Sequence, residues 1–575
     1  MFSNTLKNKS MKLKTTLAIF TFIFLSPFVY SQTLLWAKGF GNNSLGESSA
    51  SVAVDASGNV YTTGYFWGTM DFDPGAGTFN LTSAGNSDIY VQKLDASGNF
   101  VWAGRMGGVA DENGNAIALD AAGNIYITGM VCTMADMDPG TSTVNVITPS
   151  GSYDAFVEKL SSAGTFLWVK LMGGVDSEEG YGLTIDASGN IYTTGKFQGS
   201  GDFNPGAGTA TLTSAGGNDA FVQKLDNAGA FVWAKSFGGA GAEQGNAIAV
   251  DGSGNVITTG YFEVICDFDP GLAVANLTTN GLKDIFVSKL DASGNHTWVK
   301  QFGGAADDIG NSVVTDASGN VYSTGEFSAI VDFDPGAGTT SFTSAGLKDI
   351  YVSKLDVIGN FGWAKQMGAG SDDKGYDICF ASSSVFTTGR FSGTVDFNPG
   401  TGTANLISAG GNDVFVQKLD AAGNYLLSAA FGGSNSDEAY SIFVDGSGNI
   451  HTTGVFEGTA DCDPGAGTYT ITSSGTSDNF VHKMDQSITT SISDISNASI
   501  LVYPNPTEGF FSIDLGKKYS AVKIEVYSVL GNTVFSDLYS EIQIVEVIIN
   551  EYPCGVYFVN IQTHEGHSVV KLIKK

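Results

Sequence analysis

Carboxylates in short repeated patterns are the residues of this chain best placed to do chemistry. A string Asp-x-[Asp/Asn]-Pro-Gly begins at Asp71, Asp136, Asp202, Asp267, Asp332, Asp396 and Asp461. Its second oxygen-bearing residue is in turn Asp73, Asp138, Asn204, Asp269, Asp334, Asn398 and Asp463. Side chains at i and i+2 project together when a turn follows, and oxygen donors so placed suit Ca²⁺. Calcium is thus the cofactor these residues would hold. The same string also reads as a Pro-Gly turn capped by its Asp, with no ion at all. Asn204 and Asn398 keep an oxygen and lose a charge, and the string lacks the downstream Glu of a full Asp-x-Asp-x-Asp-Gly loop.

Other catalytic constellations are thin. The histidines His296, His451, His482, His564 and His567 are scattered, and no serine or cysteine nucleophile signature is present. Cys132, Cys266, Cys379, Cys462 and Cys554 form no CxxC pair and read as isolated small hydrophobes.

These carboxylates must be positioned by a repeat. The Asp-Pro-Gly strings are spaced by 65, 66, 65, 65, 64 and 65 residues. A second string, Asp-x-[Phe/Tyr]-Val-x-Lys-[Leu/Met], recurs from Asp88, Asp154, Asp219, Asp284, Asp349, Asp413 and Asp478. Each repeat reads as four strands: in the second, 116–119, 125–130, 154–160 and 166–171, with tight turns after the first and third. Four-stranded units repeated seven times predict an all-β fold, a seven-bladed β-propeller over 32–485. The fourth strands carry Trp102, Trp168, Trp233, Trp298 and Trp363, with Leu427 in the sixth copy. The seventh copy stops after Met484 without a fourth strand, while the segment from Thr33 to Phe40 has that strand's pattern around Trp36. It is expected to close the ring and remove two unpaired sheet edges.

The repeats resemble the SBBP family of β-propeller repeats, through Gly-Asn-x-Tyr-x-Thr-Gly, Asp-x-Phe-Val-x-Lys-Leu and Trp…Gly-Gly, over roughly 33–485. That resemblance implies the fold and says little about ligand.

After a Ser/Thr/Ile-rich linker, 486–498, the pattern changes. Alternating strands within 499–575 predict a small β-sandwich. Pro504-Asn-Pro-Thr-Glu-Gly509, Leu530-Gly-Asn-Thr-Val534, Gly555-Val-Tyr-Phe-Val559 and a basic end closely resemble the type A sorting domain of type IX secretion. The resemblance implies the type IX machinery as a partner, export through the outer membrane, and release or attachment at the surface. The N-terminus agrees: four lysines, an apolar run from Leu17 to Val29 and a cut after Ser31 read as a signal peptide, 1–31. Met11 to Ser31 would be a complete signal by itself. The apolar run falls short of the about 20 residues of a membrane span, and no transmembrane segment is expected in the mature chain.

The chain carries 28 Lys+Arg against 58 Asp+Glu. The tail from Ile500 has six basic and eight acidic residues, so the acidity belongs to the ring. Such a surface repels nucleic acid and anionic lipid and favours cations or basic partners. Connections between repeats concentrate it: Glu47, Asp111, Glu112, Glu178, Glu179, Glu243, Asp307, Asp308, Asp372, Asp373, Asp437 and Glu438. In a propeller they lead to the innermost strands and would ring the channel mouth. They are expected on the same face as the Asp-Pro-Gly loops, making that face a binding surface or a merely hydrated acidic rim.

The expected function is an exported binding, adhesion or scaffold module with an extracellular glycan or protein as ligand, and not an enzyme. A carboxylate-based hydrolase or lyase acting on extracellular polysaccharide is the rival, and would need single repeats to break the pattern. A purely structural surface component is the third reading.

Overall fold

The computed structural model describes residues 32–42, 47–148, 153–486, 500–528, 533–563 and 566–575. The signal peptide and linker residues 487–498 lie outside the described residues. The described chain is all-β, and among its residues no helix is long and apolar enough to cross a membrane. It separates into two compact bodies, one of them Ser31–Ser487.

In this first body the repeats form seven four-stranded antiparallel units among the described residues. The first unit comprises Ser48–Val54, Val60–Asp71, Asn80–Leu94 and Phe100–Gly108. The seventh comprises Asp437–Val444, Ile450–Phe456, Asp478–Asp485 and, as its outer strand, Thr33–Phe40. Thr33 opposes Asp485 and Phe40 opposes Asn479. The innermost strands pack side by side in sequence order, and that of the seventh unit lies against that of the first.

Local chemistry explains the strands and turns. Tight turns close the first-to-second and third-to-fourth connections through glycines at positive φ, such as Gly58 at 82°. In the first of them, Asp55 accepts from the amides of Ser57 and Asn59 at 2.9 and 3.0 Å. Outer-strand tryptophans tie one unit to the next: the indole N–H groups of Trp36, Trp233, Trp298 and Trp363 donate to turn carbonyls at 3.1–3.3 Å. The Lys93-type lysines reach the same turns; Lys354 donates to Ala421 O at 3.0 Å.

The long hairpin of each unit departs from expectation. It bends at a residue of positive φ: Gly68, Thr133, Gly199, Val264, Ala329, Gly393 and Gly458. Past the bend it folds down between units and pairs with the outer strand of the preceding one, Asp136 opposing Gly107 and Asp202 opposing Gly173. The Asp-Pro-Gly tips therefore lie along the clefts between units, and not on the face of the inter-unit connections. Burial drives this. Phe72, Met137, Phe203, Phe268, Phe333, Phe397 and Cys462, one at the centre of each string, are all withdrawn from solvent. Burying each such phenylalanine contributes about 1.5–3 kcal/mol.

The second body packs Leu501–Tyr503, Phe510–Tyr519 and Ile542–Ile548 in one sheet. Thr533–Tyr539, Val522–Ser528, Gly555–Thr563 and Gly566–Lys574 make the other. Phe511, Ile513, Ile524, Val526, Val545, Val559 and Ile561 fill the core between them.

Candidate functional site

The calcium candidates bind their own backbone. Asp71 accepts from the amides of Asp73 and Phe79 at 3.0 and 2.7 Å, and Asp73 from Gly75 at 2.8 Å. The pattern recurs in every unit: Asp267 accepts from Asp269 and Ala275, and Asn398 from Gly400. Among the described residues no three His, Cys, Asp or Glu side chains come together as a metal site. The strings act as capped turns in this arrangement.

The acidic connections divide into two sets. Glu47, Glu112, Glu178, Glu243, Asp308, Asp373 and Asp437 occupy one equivalent position and are buried. Each turns back to cap a backbone amide, as Glu112 does for Gly108 at 2.7 Å and Asp373 for Ala369 at 2.7 Å. Each also neighbours the buried Asp that opens the third strand of the preceding unit, and the seventh pair, Glu47 with Asp478, spans the closure. Burial first, and the neighbouring carboxylate second, push Glu47 up to about 8. Burial likewise raises Glu178 and Glu243 to about 8, Glu112 and Asp308 to about 7, and Asp437 to about 6. These seven residues are structural caps, which corrects the expectation that all twelve acids ring the mouth.

The remaining five, Asp111, Glu179, Asp307, Asp372 and Glu438, stay partly exposed. Three of them are matched by cations. Lys196 lies 3.3 Å from Glu179, and Arg390 bridges Glu438 to Asp372, the latter at 2.7 Å. Lys374 reaches Glu326 at 3.1 Å, and Lys348 pairs with the same carboxylate. Glu326, Arg390 and Lys196 belong to the variable position after Thr-Gly, where the other units carry Tyr65, Met130, Tyr261 and Val455. That position faces the rim: Tyr65 meets Trp67 edge-on at 5.1 Å, and Lys283 lies over Tyr261 at 4.1 Å.

Below the rim, the seven inner strands line a channel cavity of about 310 Å³. Every inner strand carries a β-bulge at the same place, at Ala50, Asn115, Tyr181, Asn246, Asn311, Tyr376 and Tyr440. All seven bulged residues line the channel. Asn115, Asn246 and Asn311 donate to the carbonyls of Gly180, Gly310 and Gly375 at 2.8–2.9 Å, stitching neighbouring strands together. The tyrosines reach to the rim instead. Tyr181 donates to Glu179, Tyr376 donates to Glu438 at 3.0 Å, and the Tyr376 and Tyr440 rings meet edge-on at 5.2 Å. Ala50, beside Tyr440 in the ring order, leaves space.

Asp377 is the carboxylate among these channel residues, at a position occupied elsewhere by Ser51, Ala116, Gly182, Ala247, Ser312 and Ser441. It accepts from the hydroxyls of Ser312 and Ser441 at 2.7 and 3.0 Å, and from the amides of Ile378 and Ile442, both at 2.8 Å. Burial raises it, against the pull of those donors. Sequence reasoning missed the bulge position and Asp377. The bulge had a signal, a residue three places after the buried acid that varies among Ala, Asn and Tyr behind a position that is Gly in five repeats, and Asp377, one place further, breaks a set of Ser, Ala and Gly.

Comparison with known proteins separates the two bodies. Residues 501–575 match the secretion system C-terminal sorting domain, and residues 297–326 match the beta-propeller repeat. The chain is therefore a type IX secretion cargo with a β-propeller, delivered to the cell surface or beyond it. It is 23% identical over 501 residues to an uncharacterized WD repeat-containing protein, L264, of Acanthamoeba polyphaga mimivirus, covering 74% of this chain and 36% of that protein. It is 23% identical over 409 residues to the regulatory protein FlaEY of Caulobacter vibrioides, covering 66% and 40%. The chain thus spans about two fifths or less of the length of these curated relatives. To a chain of the mitotic checkpoint complex it is 11% identical, over 67% of this chain and 95% of that one, with a TM-score of 0.26.

Proposed function

We propose that this exported protein is a binding or adhesion module whose extracellular ligand, a glycan or a protein, seats on the channel mouth. One observation carries the reading. At the seven equivalent bulges the repeat is broken into three asparagines, three tyrosines and one alanine. Two of the tyrosines, Tyr376 and Tyr440, converge with Arg390, Asp372 and Glu438 on one sector of the mouth, while Tyr181 pairs with Glu179 in another. Stability alone needs no such asymmetry, since asparagine already fills the stitching role. Rigid aromatic rings beside a guanidinium are among the groups that dominate recognition sites.

A non-catalytic role belongs to the same proposal. Asp377, the acid that breaks the repeat inside the channel, already accepts four hydrogen bonds from two neighbouring strands and its own. It serves as a positioning group there.

A glycan and peptide array probed with the exported protein tests the proposal, alongside Tyr440→Ala and Arg390→Ala variants that retain the parent's melting behaviour. A hit lost at least tenfold in both variants supports it. Binding untouched by both would place the ligand elsewhere, hydrolysis of an array glycan would revive the enzyme reading, and no hit at all would favour a structural component.

A further inference from the structure

The junctions between units supply their own internal comparison. In five of them a lysine two residues after the tryptophan lays its Cε over the turn glycine of the next unit. Lys38, Lys170, Lys235, Lys300 and Lys365 stand there against Gly98, Gly229, Gly294, Gly359 and Gly423. Each of these turns opens with an aspartate, and the lysine charge favours the ionised acid, as Lys38 does for Asp95 and Lys235 for Asp291.

The junction of the first and second units has lost both charges. Gly104 stands where the lysine would be, and Ser161 where the aspartate would be. A cleft of about 390 Å³ opens at this place, lined by Trp102, Gly104, Asp138, Thr141, Ser142 and Thr165. The hairpin tip contributes two hydroxyls, Thr141-Ser142, where four units carry Ala-Gly, the fourth Leu272-Ala273 and the sixth Thr401-Gly402, so Ser142 is the hydroxyl particular to this tip. The Trp102 indole N–H is buried without a partner among the described residues, whereas those of Trp36, Trp233, Trp298 and Trp363 bond to turn carbonyls. Among the described residues Trp102 is the tryptophan left in that state.

We propose that this cleft is a binding site for a neutral saccharide, one or two pyranose rings in size. An indole beside hydroxyls and a single carboxylate matches a ring that is apolar on its C–H face and polar around its edge. Trp102 packs against the C–H face, Thr141, Ser142 and Thr165 meet the ring hydroxyls, and Asp138 accepts from one of them. The volume lies at the lower end of small-ligand sites, as a mono- or disaccharide requires. A cationic ligand fits less well, because the turn carboxylate that balances lysine in the sister junctions is missing. The site is distinct from the channel mouth and stands or falls independently of it.

Calorimetric titration of the exported protein with glucose, galactose, mannose, N-acetylglucosamine and their β-linked disaccharides tests the proposal, with N-α-acetyl-lysine as the amine control. Saturable binding of at least one sugar is expected, with Trp102→Leu weakening it at least tenfold. Leucine is what the sixth unit carries at this position, so the fold has a precedent for it. Gly104→Lys combined with Ser161→Asp restores the pair of the sister junctions and should abolish binding. A Cβ at Gly104 would come within 2.5 Å of Pro139, so the tip must shift in that variant; Thr165→Asn offers a milder fill. The proposal is overturned if no sugar binds, if Trp102→Leu and Thr165→Asn both leave affinity unchanged, or if the amine alone binds.

Discussion

Asp154 and Glu178 meet across Gly173: a Cβ built on that glycine would stand 2.6 Å from Oδ1 of the first and 2.6 Å from Oε2 of the second. Asp154 stands at the start of the second unit's third strand and Glu178 at the start of the third unit's first, so each junction is locked by two buried carboxyl groups with no room for a side chain between them. Burial pushes Asp154 up to about 7 and Glu178 to about 8.

This arrangement predicts an inverted pH dependence. A carboxyl whose folded pKa lies above its unfolded value, about 4, binds its proton more tightly in the fold. Stability from the pairs is complete below that unfolded value and falls as pH rises toward 6–8, where Glu47, Glu112, Glu178, Glu243, Asp308 and Asp437 titrate in the fold. The ceiling is about 1.4 kcal/mol per pH unit for each group that stays protonated. The turn aspartates Asp55, Asp120 and Asp186, lowered chiefly by their asparagine partners against burial, act oppositely and only below pH about 4. Melting temperature at constant ionic strength should therefore decline from pH 5 to pH 8. Glu112→Gln should flatten that slope, gaining about 1 kcal/mol at pH 8 and almost nothing at pH 4. A melting temperature that rises across this range would contradict the buried pairs.

The closing strand should be essential. Trp36 and Phe40 are buried in it, and Trp36 donates to Ala96 of the first unit at 3.1 Å. Deleting residues 32–41 removes about 3–6 kcal/mol of apolar burial and opens the edge of Asp478–Asp485. The truncated chain should melt well below the parent or self-associate on size-exclusion chromatography. Unchanged melting of a monomer would show that the strand is decorative.

The Asp-Pro-Gly tips should answer to capping and not to charge. Asn204 and Asn398 accept from Gly206 and Gly400 just as Asp269 accepts from Gly271. Asp269→Asn should leave stability within about 0.5 kcal/mol, while Asp269→Ala should cost about 1 kcal/mol. Calcium and a monovalent salt of matched ionic strength should shift both variants alike. A calcium-specific gain in the parent that Asp269→Asn removes would instead establish the ion site.

Strain at the hairpin bends offers a stabilising change. Val264 holds φ at 60° and Thr133 at 57°, where four sister units place glycine. A β-branched residue in the left-handed region costs on the order of 1–3 kcal/mol, partly offset by the chain entropy that glycine adds to the unfolded state. Val264→Gly should raise stability by about 1 kcal/mol in denaturant titration. A loss would mean that the exposed valine packs usefully where it stands.

Period and phase were legible without coordinates. The equal spacing of Asp71 to Asp461 announces repeating four-stranded units, and Trp36 identifies the displaced outer strand, because both are local patterns repeated along the chain. The Pro-Asn-Pro-x-x-Gly opening and basic end announce the sorting domain for the same reason. The site was less legible. Ala50, Tyr181, Tyr376 and Tyr440 share one position in the repeat, yet a bulge aims them into the channel, and a bulge is a matter of strand pairing with no composition of its own.

Chain connectivity and short-range propensity thus settle which segments become strands, where turns fall and which strand completes which sheet. Burial is different, because it depends on what lies opposite. Glu112 and Asp111 are adjacent acids in one connection; one turns inward to cap Gly108 and the other stays at the rim. Phe72 and its counterparts pull the Asp-Pro-Gly tips off the face and into the clefts. Neighbouring units meet only in the folded ring, so the protonation of the buried acids, the placement of the tips and the cleft at Gly104 were decided by tertiary packing alone.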